Sequence, residues 1–223
     1  MSEELKLEIP GLYIICAQQG SGKSHLIDYI MHQMRHIFDY GIIMCTTAWE
    51  GSFPYMPTID NQVFVHTDYD EKAVKSLMRI QEKLRKQHIY KEAFLILDDC
   101  IDGEKQWSSR TLKELCNTLR HYHITVIIST QYINVLPPRF RSNCHGVFIF
   151  RSTNESQLLS MYKSFGQDFE RYADFKDYVM LFTGDYKFIY YSRDESGITD
   201  FKIMRCPKKI PEFKLKFNTQ IIR

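Results

Sequence analysis

Eight consecutive residues, Ala17-Gln18-Gln19-Gly20-Ser21-Gly22-Lys23-Ser24, combine the residue types that grip a polyphosphate. Gly20 and Gly22 allow positive φ and let backbone amides approach a phosphate with no Cβ in the way. Lys23 is placed to reach β- and γ-phosphates, and the Ser24 hydroxyl to sit on Mg²⁺. The loop amides and the start of a following helix add a concave positive site. Gln18, Gln19, Gly20, Ser21, Gly22, Lys23, Ser24 and His25 therefore form the candidate nucleotide-binding stretch. The pattern GxxxxGK[ST] has Ala17 at its first position, where Ala is the smallest side chain available. A chance Gly-Ser-Gly turn between a strand and a helix is the bland alternative.

Such a loop must be held by a strand before it and a helix after it. The run Leu12-Tyr13-Ile14-Ile15-Cys16 supplies the strand, and a helix is expected from Gly22 to about Phe38. A second strand ending in acid is then required. Ala93-Phe94-Leu95-Ile96-Leu97 runs straight into Asp98-Asp99, as a strand buried on both faces of a parallel sheet does. Its acids fall at the carboxyl end, where ligands bind in open α/β sheets. Asp98 is the candidate holder of Mg²⁺, directly or through water. Asp99 is the candidate to orient or deprotonate an attacking water, or else merely caps the next loop. A third run, Ile124 to Thr130, ends in Gln131, whose amide can bond a γ-phosphate or the water; a plain polar strand end is its simpler reading.

Between these motifs the chain alternates. Gly41 to Thr46 and Gln62 to Val65 read as strands; Ala73, Leu77, Ile80 and Leu84 mark a helix. One helix is expected from Ser109 to about Tyr122, and two short ones over 155–178, split near Gly166. Val147 to Phe150 reads as a strand. Tyr178 to Phe182 and Tyr186 to Tyr191 flank Gly184-Asp185 and predict a β-hairpin. The expected fold is α/β, with a mainly parallel sheet and helices on both faces. One domain over 1–201 and a basic tail over 202–223 are expected. The tail carries Lys202, Arg205, Lys208, Lys209, Lys214, Lys216 and Arg223, with Glu212 its only acid.

Composition narrows the classes. The 223 residues are 44% hydrophobic and 25% charged, which is globular rather than disordered. A net charge of +2 gives no strong overall pull on nucleic acid. None of the six cysteines forms a CxxC pair, so zinc knuckles and redox pairs are not indicated, and reduced core thiols are expected. The acidic start lacks a signal-peptide core, and no apolar run reaches the length of a membrane span.

The order of motifs resembles the genome-packaging ATPases of large DNA viruses, the poxvirus type within the FtsK–HerA superfamily. The resemblance rests on Gly20 to Ser24, Leu97-Asp98-Asp99, and Leu119 to Ile124 leading into Ser129-Thr130-Gln131. Leu136 to Asn143 before the next strand adds to it, and it spans about residues 11–151. It implies a P-loop fold and a ring of identical subunits that uses ATP and Mg²⁺ to pump double-stranded DNA into a capsid. It further implies capsid or portal-region partners, and a place at assembly sites in the host cytoplasm or in the virion. In that superfamily a basic residue of one subunit completes its neighbour's site; Arg120 stands at the matching position, with Arg110 and Arg141 as competitors. Ala17 and Asp99 depart from the usual pattern and bear on catalytic rate more than on binding.

The rival readings are a P-loop kinase, with Arg139-Phe140-Arg141 as a lid fragment, and a nucleotide-switched assembly protein of negligible turnover. The basic tail could lie along DNA phosphates, dock on a capsid or neighbour, or stay solvated. Trp49, Phe53 and Tyr55 could meet a neighbour or DNA, or cover a core edge.

Overall fold

The computed structural model describes residues 5–46, 63–101, 103–193 and 197–214. The loop with Trp49, Phe53 and Tyr55 lies outside these residues, as do Lys216 and Arg223. Strand β1 (Leu12–Cys16) is buried at every position, and so are β4 (Ala93–Asp98) and β5 (Ile124–Thr130). Continuous apolar runs suit strands covered on both faces. With β2 (Tyr40–Cys45), β3 (Val63–His66), β6 (Gly146–Ile149), β7 (Lys187–Arg193) and β8 (Thr199–Arg205) they form a sheet ordered β3-β2-β4-β5-β1-β6-β7-β8. The pairings from β3 through β6 are parallel; β6–β7 and β7–β8 are antiparallel.

Alternate residues of each strand feed two cores. On one face Leu12, Ile14, Leu95 and Leu97 pack with Val74 and Leu77 of α2 (Glu71–Lys86), Leu112 of α4 (Arg110–Asn117) and Leu158 of α7 (Glu155–Phe165). On the other, Tyr13, Ile15, Phe94 and Ile96 pack with Leu26, Ile27 and Ile30 of α1 (Lys23–Gln33). The parallel α/β architecture with helices on both faces is as expected. Among the described residues no helix is long and apolar enough to cross a membrane.

Several elements differ from expectation. Tyr178 to Phe182 is not a strand; it closes helix α8 (Tyr172–Phe182), in which Phe175 and Val179, four apart, are buried. A C-terminal hairpin exists, but it pairs β7 with β8. Gly184 and Asp185 instead lead from α8 into β7. Lys202 and Arg205, grouped by sequence with the basic stretch, are part of β8. The single helix over 109–122 is two, α4 and α5 (Leu119–Tyr122), parted at Thr118, where φ is −134°. A short helix α3 (Glu104–Trp107) precedes them, and α6 (Pro138–Asn143) follows β5. Helix α1 ends at Gln33 rather than near Phe38.

Candidate functional site

The loop after β1 turns at the two inner glycines, with φ of +74° at Gly20 and +98° at Gly22. Both lie in the left-handed region that a side chain disfavours. Gly22 is also the residue from which α1 starts, so Lys23 and Ser24 open the helix. The loop is closed on itself by Ser21, whose amide and hydroxyl both donate to the Gln18 carbonyl at 3.2 and 2.6 Å. Its stem is anchored to β5, since the Ala17 amide donates to the Thr130 carbonyl at 3.1 Å. The Phe150 ring at the end of β6 stands 4.0 Å from where a Gly22 Cβ would be.

Lys23 is 8% exposed, buried for a lysine, and its ammonium is tied down. It donates to the Ala17 carbonyl at 3.3 Å and forms an ion pair with the Asp99 carboxylate. Asp99 reaches it because the backbone leaves the β-region there: φ is +46°, which Asp tolerates better than most residues. Asp98 stays in the strand and points into the protein, accepting a Cys45 thiol contact at 3.6 Å; Asp99 turns outward, its amide held by the Ser129 carbonyl at 3.2 Å. Gln131 joins them, its side-chain amide donating to Asp99 at 3.4 Å. Lys23, Asp99 and Gln131, far apart in sequence, thus meet at the carboxyl edge of β1, β4 and β5. A cavity of about 510 Å³ opens beside them, lined by Asp99, Ser129, Gln131 and Asn134 with Trp107.

One contributor was missed by sequence reasoning. Gln157 of α7 is 3% exposed and donates to the Gln131 carbonyl. The Ser152 hydroxyl in turn donates to the Gln157 carbonyl oxygen at 2.6 Å. The neighbouring Cys16 thiol is pushed up to about 12 by burial, so it stays protonated. No motif marks Gln157, and only the packing of α7 against the end of β5 reveals it.

The donor set suits Mg²⁺, a hard cation that takes one or two protein oxygens and fills its remaining positions with phosphate and water. Ser24 opens α1 and Asp98 ends β4. Beside Asp98 across the β4–β5 ladder, the buried Ser129 hydroxyl has no hydrogen-bond partner among the described residues.

The candidate trans residues sit elsewhere. Arg120 lies on α5 before the start of β5, at the opposite edge of the sheet from Lys23. It pairs with Glu8 and lines a cavity of about 470 Å³ with His145 and Arg193. Burial holds the His145 imidazole below its usual value, and its Nδ1 accepts the Leu12 amide at 3.0 Å. Arg141 donates to the Ser164 hydroxyl at 2.8 Å, and Arg110 is exposed at the start of α4.

A glycine loop between β1 and α1, facing acids at the end of β4, defines the fold as that of the P-loop nucleoside triphosphatases. The chain belongs to the Poxvirus A32 protein family, whose sequence profile matches residues 6–175. Uncharacterized protein 075L of Invertebrate iridescent virus 6 is 34% identical over 179 residues, 79% of this chain and 68% of that relative. The genome packaging NTPase B204 of Sulfolobus turreted icosahedral virus 2, solved with sulfate, aligns with a TM-score of 0.67 at 18% identity, covering 92% of this chain and 100% of that one. The pCW3 conjugation coupling protein TcpA, solved with ATPγS, aligns with a TM-score of 0.59 at 15% identity, covering 89% of this chain and 61% of that one. At these identities the two solved structures show a common fold.

Proposed function

We propose that this protein is an ATP-hydrolysing motor that drives double-stranded DNA into a viral capsid during genome packaging, as an FtsK–HerA-type ring of identical subunits. The observation that carries the reading is the split placement of charge. Lys23, Asp99 and Gln131 converge at one edge of the sheet, and Arg120 stands at the other. In such a subunit Arg120 stands too far from its own nucleotide to serve it, and instead completes the site of a neighbour.

In this reading Gln18 through His25 wrap the phosphates, and Lys23 neutralises the β- and γ-oxygens. A γ-phosphate competes with Asp99 for the Lys23 ammonium, so binding releases the carboxylate to orient or deprotonate the attacking water. Gln131 bonds that water or the γ-phosphate. Ser24 and Asp98 would hold Mg²⁺, which when bound would supply charge stabilisation to the phosphate oxygens. Arg120 of the adjacent subunit stabilises the transferring phosphoryl group. DNA contact is to phosphates, independent of sequence and sensitive to salt. Lys208, Lys209 and Lys214, exposed beyond β8, suit that contact. Capsid or portal proteins are the docking partners, at assembly sites in the host cytoplasm.

Steady-state phosphate release with and without linear duplex DNA tests the reading. DNA-stimulated release that Lys23→Ala abolishes supports it. Release indifferent to DNA points to a kinase once an acceptor is added, and tight ATP binding without release points to an assembly switch.

A further inference from the structure

The phosphate loop has two ends. Asp99 and Gln131 lie on the β4 and β5 side of β1 and mark the γ-phosphate end. A nucleotide held by the loop therefore directs its nucleoside to the opposite side, toward β6 and β7. On that side the chain builds a small aromatic and cationic rim. Gly184, Asp185 and Tyr186 have φ of +106°, +50° and +64° in succession. Left-handed φ is cheap for Gly and tolerable for Asp, but a tyrosine held there is an outlier. The surroundings fix it: the Cys206 amide donates to the Tyr186 carbonyl at 2.9 Å, and Arg205 pairs with Asp185.

Tyr186 is nonetheless 45% exposed. Its ring meets the imidazole of His25, the residue after Ser24, at 5.4 Å between centroids and an interplanar angle of 67°. His25 is itself fixed through Nε2 at 2.7 Å from the Pro207 carbonyl. The Arg151 guanidinium stands 3.6 Å from where a Gly184 Cβ would be, so a cation borders the same turn.

We infer that Tyr186, fixed edge-on by His25, is the stacking platform for the nucleobase of the triphosphate, with the Arg151 cation at the same rim. This deepens the nucleotide-binding reading above and rests on it. An exposed ring held rigid at the mouth of a phosphate site offers a base a flat face already in place. Stacking of a base on an aromatic ring is a substantial and base-tolerant contribution.

Equilibrium binding of ATP and of inorganic tripolyphosphate to the full chain separates the two ends of the site. Tyr186→Asn removes the ring while keeping a residue that accepts left-handed φ; Tyr186→Trp keeps a stacking face. The expected result is that Asn weakens ATP binding about 5- to 150-fold and leaves tripolyphosphate unchanged, with Trp close to wild type. Unchanged ATP affinity in the Asn variant, or equal loss of both ligands, would overturn the platform while leaving the phosphate loop intact. If the wild-type protein binds neither ligand, the nucleotide reading itself fails and the platform fails with it.

Discussion

Arg120 offers the sharpest perturbation. Strand β5 separates it from Gln131, and its seven residues at about 3.3 Å each span roughly 20 Å. No rotamer of Arg120 crosses that distance, so it cannot serve the phosphate loop of its own chain. If it acts in a neighbour, Arg120→Ala should lower turnover by about 10³- to 10⁵-fold, or about 4–7 kcal/mol of transition-state stabilisation, with ATP affinity nearly unchanged. Instability does not account for such a loss. Its ion pair with Glu8 leaves the two side chains 62% and 42% exposed, a class of pair that contributes about 0–1 kcal/mol. The decisive assay mixes Arg120→Ala with Lys23→Ala. Each is inactive alone, but the first has an intact loop and the second an intact arginine. Random equal mixing in a ring makes about a quarter of the interfaces fully intact, so about a quarter of wild-type turnover should return. Wild-type activity in Arg120→Ala, or no recovery on mixing, would refute the trans assignment.

Three further outcomes follow from packing and burial. Gln157→Leu strands the Gln131 carbonyl and the Ser152 hydroxyl, and should cost about 2–4 kcal/mol in chemical denaturation and slow hydrolysis more than it weakens nucleotide binding; an unchanged midpoint would contradict it. Gly41→Ala puts a Cβ 2.5 Å from both the Phe94 ring and its carbonyl, and should destabilise by about 1–3 kcal/mol, read as a lowered melting temperature. Burial raises the thiols of Cys16, Cys116, Cys144 and Cys206 from 9.0 to about 12. They should resist labelling at about pH 8 until the chain unfolds. Above pH 9.0 the unfolded thiols ionise while the folded ones keep their protons, so stability should fall as pH rises toward 12; a flat profile would contradict this burial.

The parallel half of the sheet was legible because strands covered on both faces are written as unbroken apolar runs ending in polar residues. The phosphate loop, Asp98-Asp99 and Gln131 could be placed from order alone. The pairing of Lys23 with Asp99 was not legible, since it depends on a left-handed turn at Asp99 that no pattern announces. The run Tyr178 to Phe182 misled for a different reason. Five apolar residues fit a buried strand or a helix equally well, and tertiary packing through Phe175 and Val179 decided for α8. Strand β8 escaped notice because most of it is exposed and interspersed with charge, with Met204 its one buried residue, so it reads as a basic tail. Gln157 is a lone amide early in a helix, and its value comes wholly from what it touches.

Motion along duplex DNA is the central claim, and displacement of a third strand measures it directly. A triplex-forming oligonucleotide is bound far along a linear duplex, and the protein is added with ATP. ATP-dependent displacement that Lys23→Ala abolishes is the predicted result. ATP hydrolysis stimulated by DNA, with the third strand left in place, would contradict translocation.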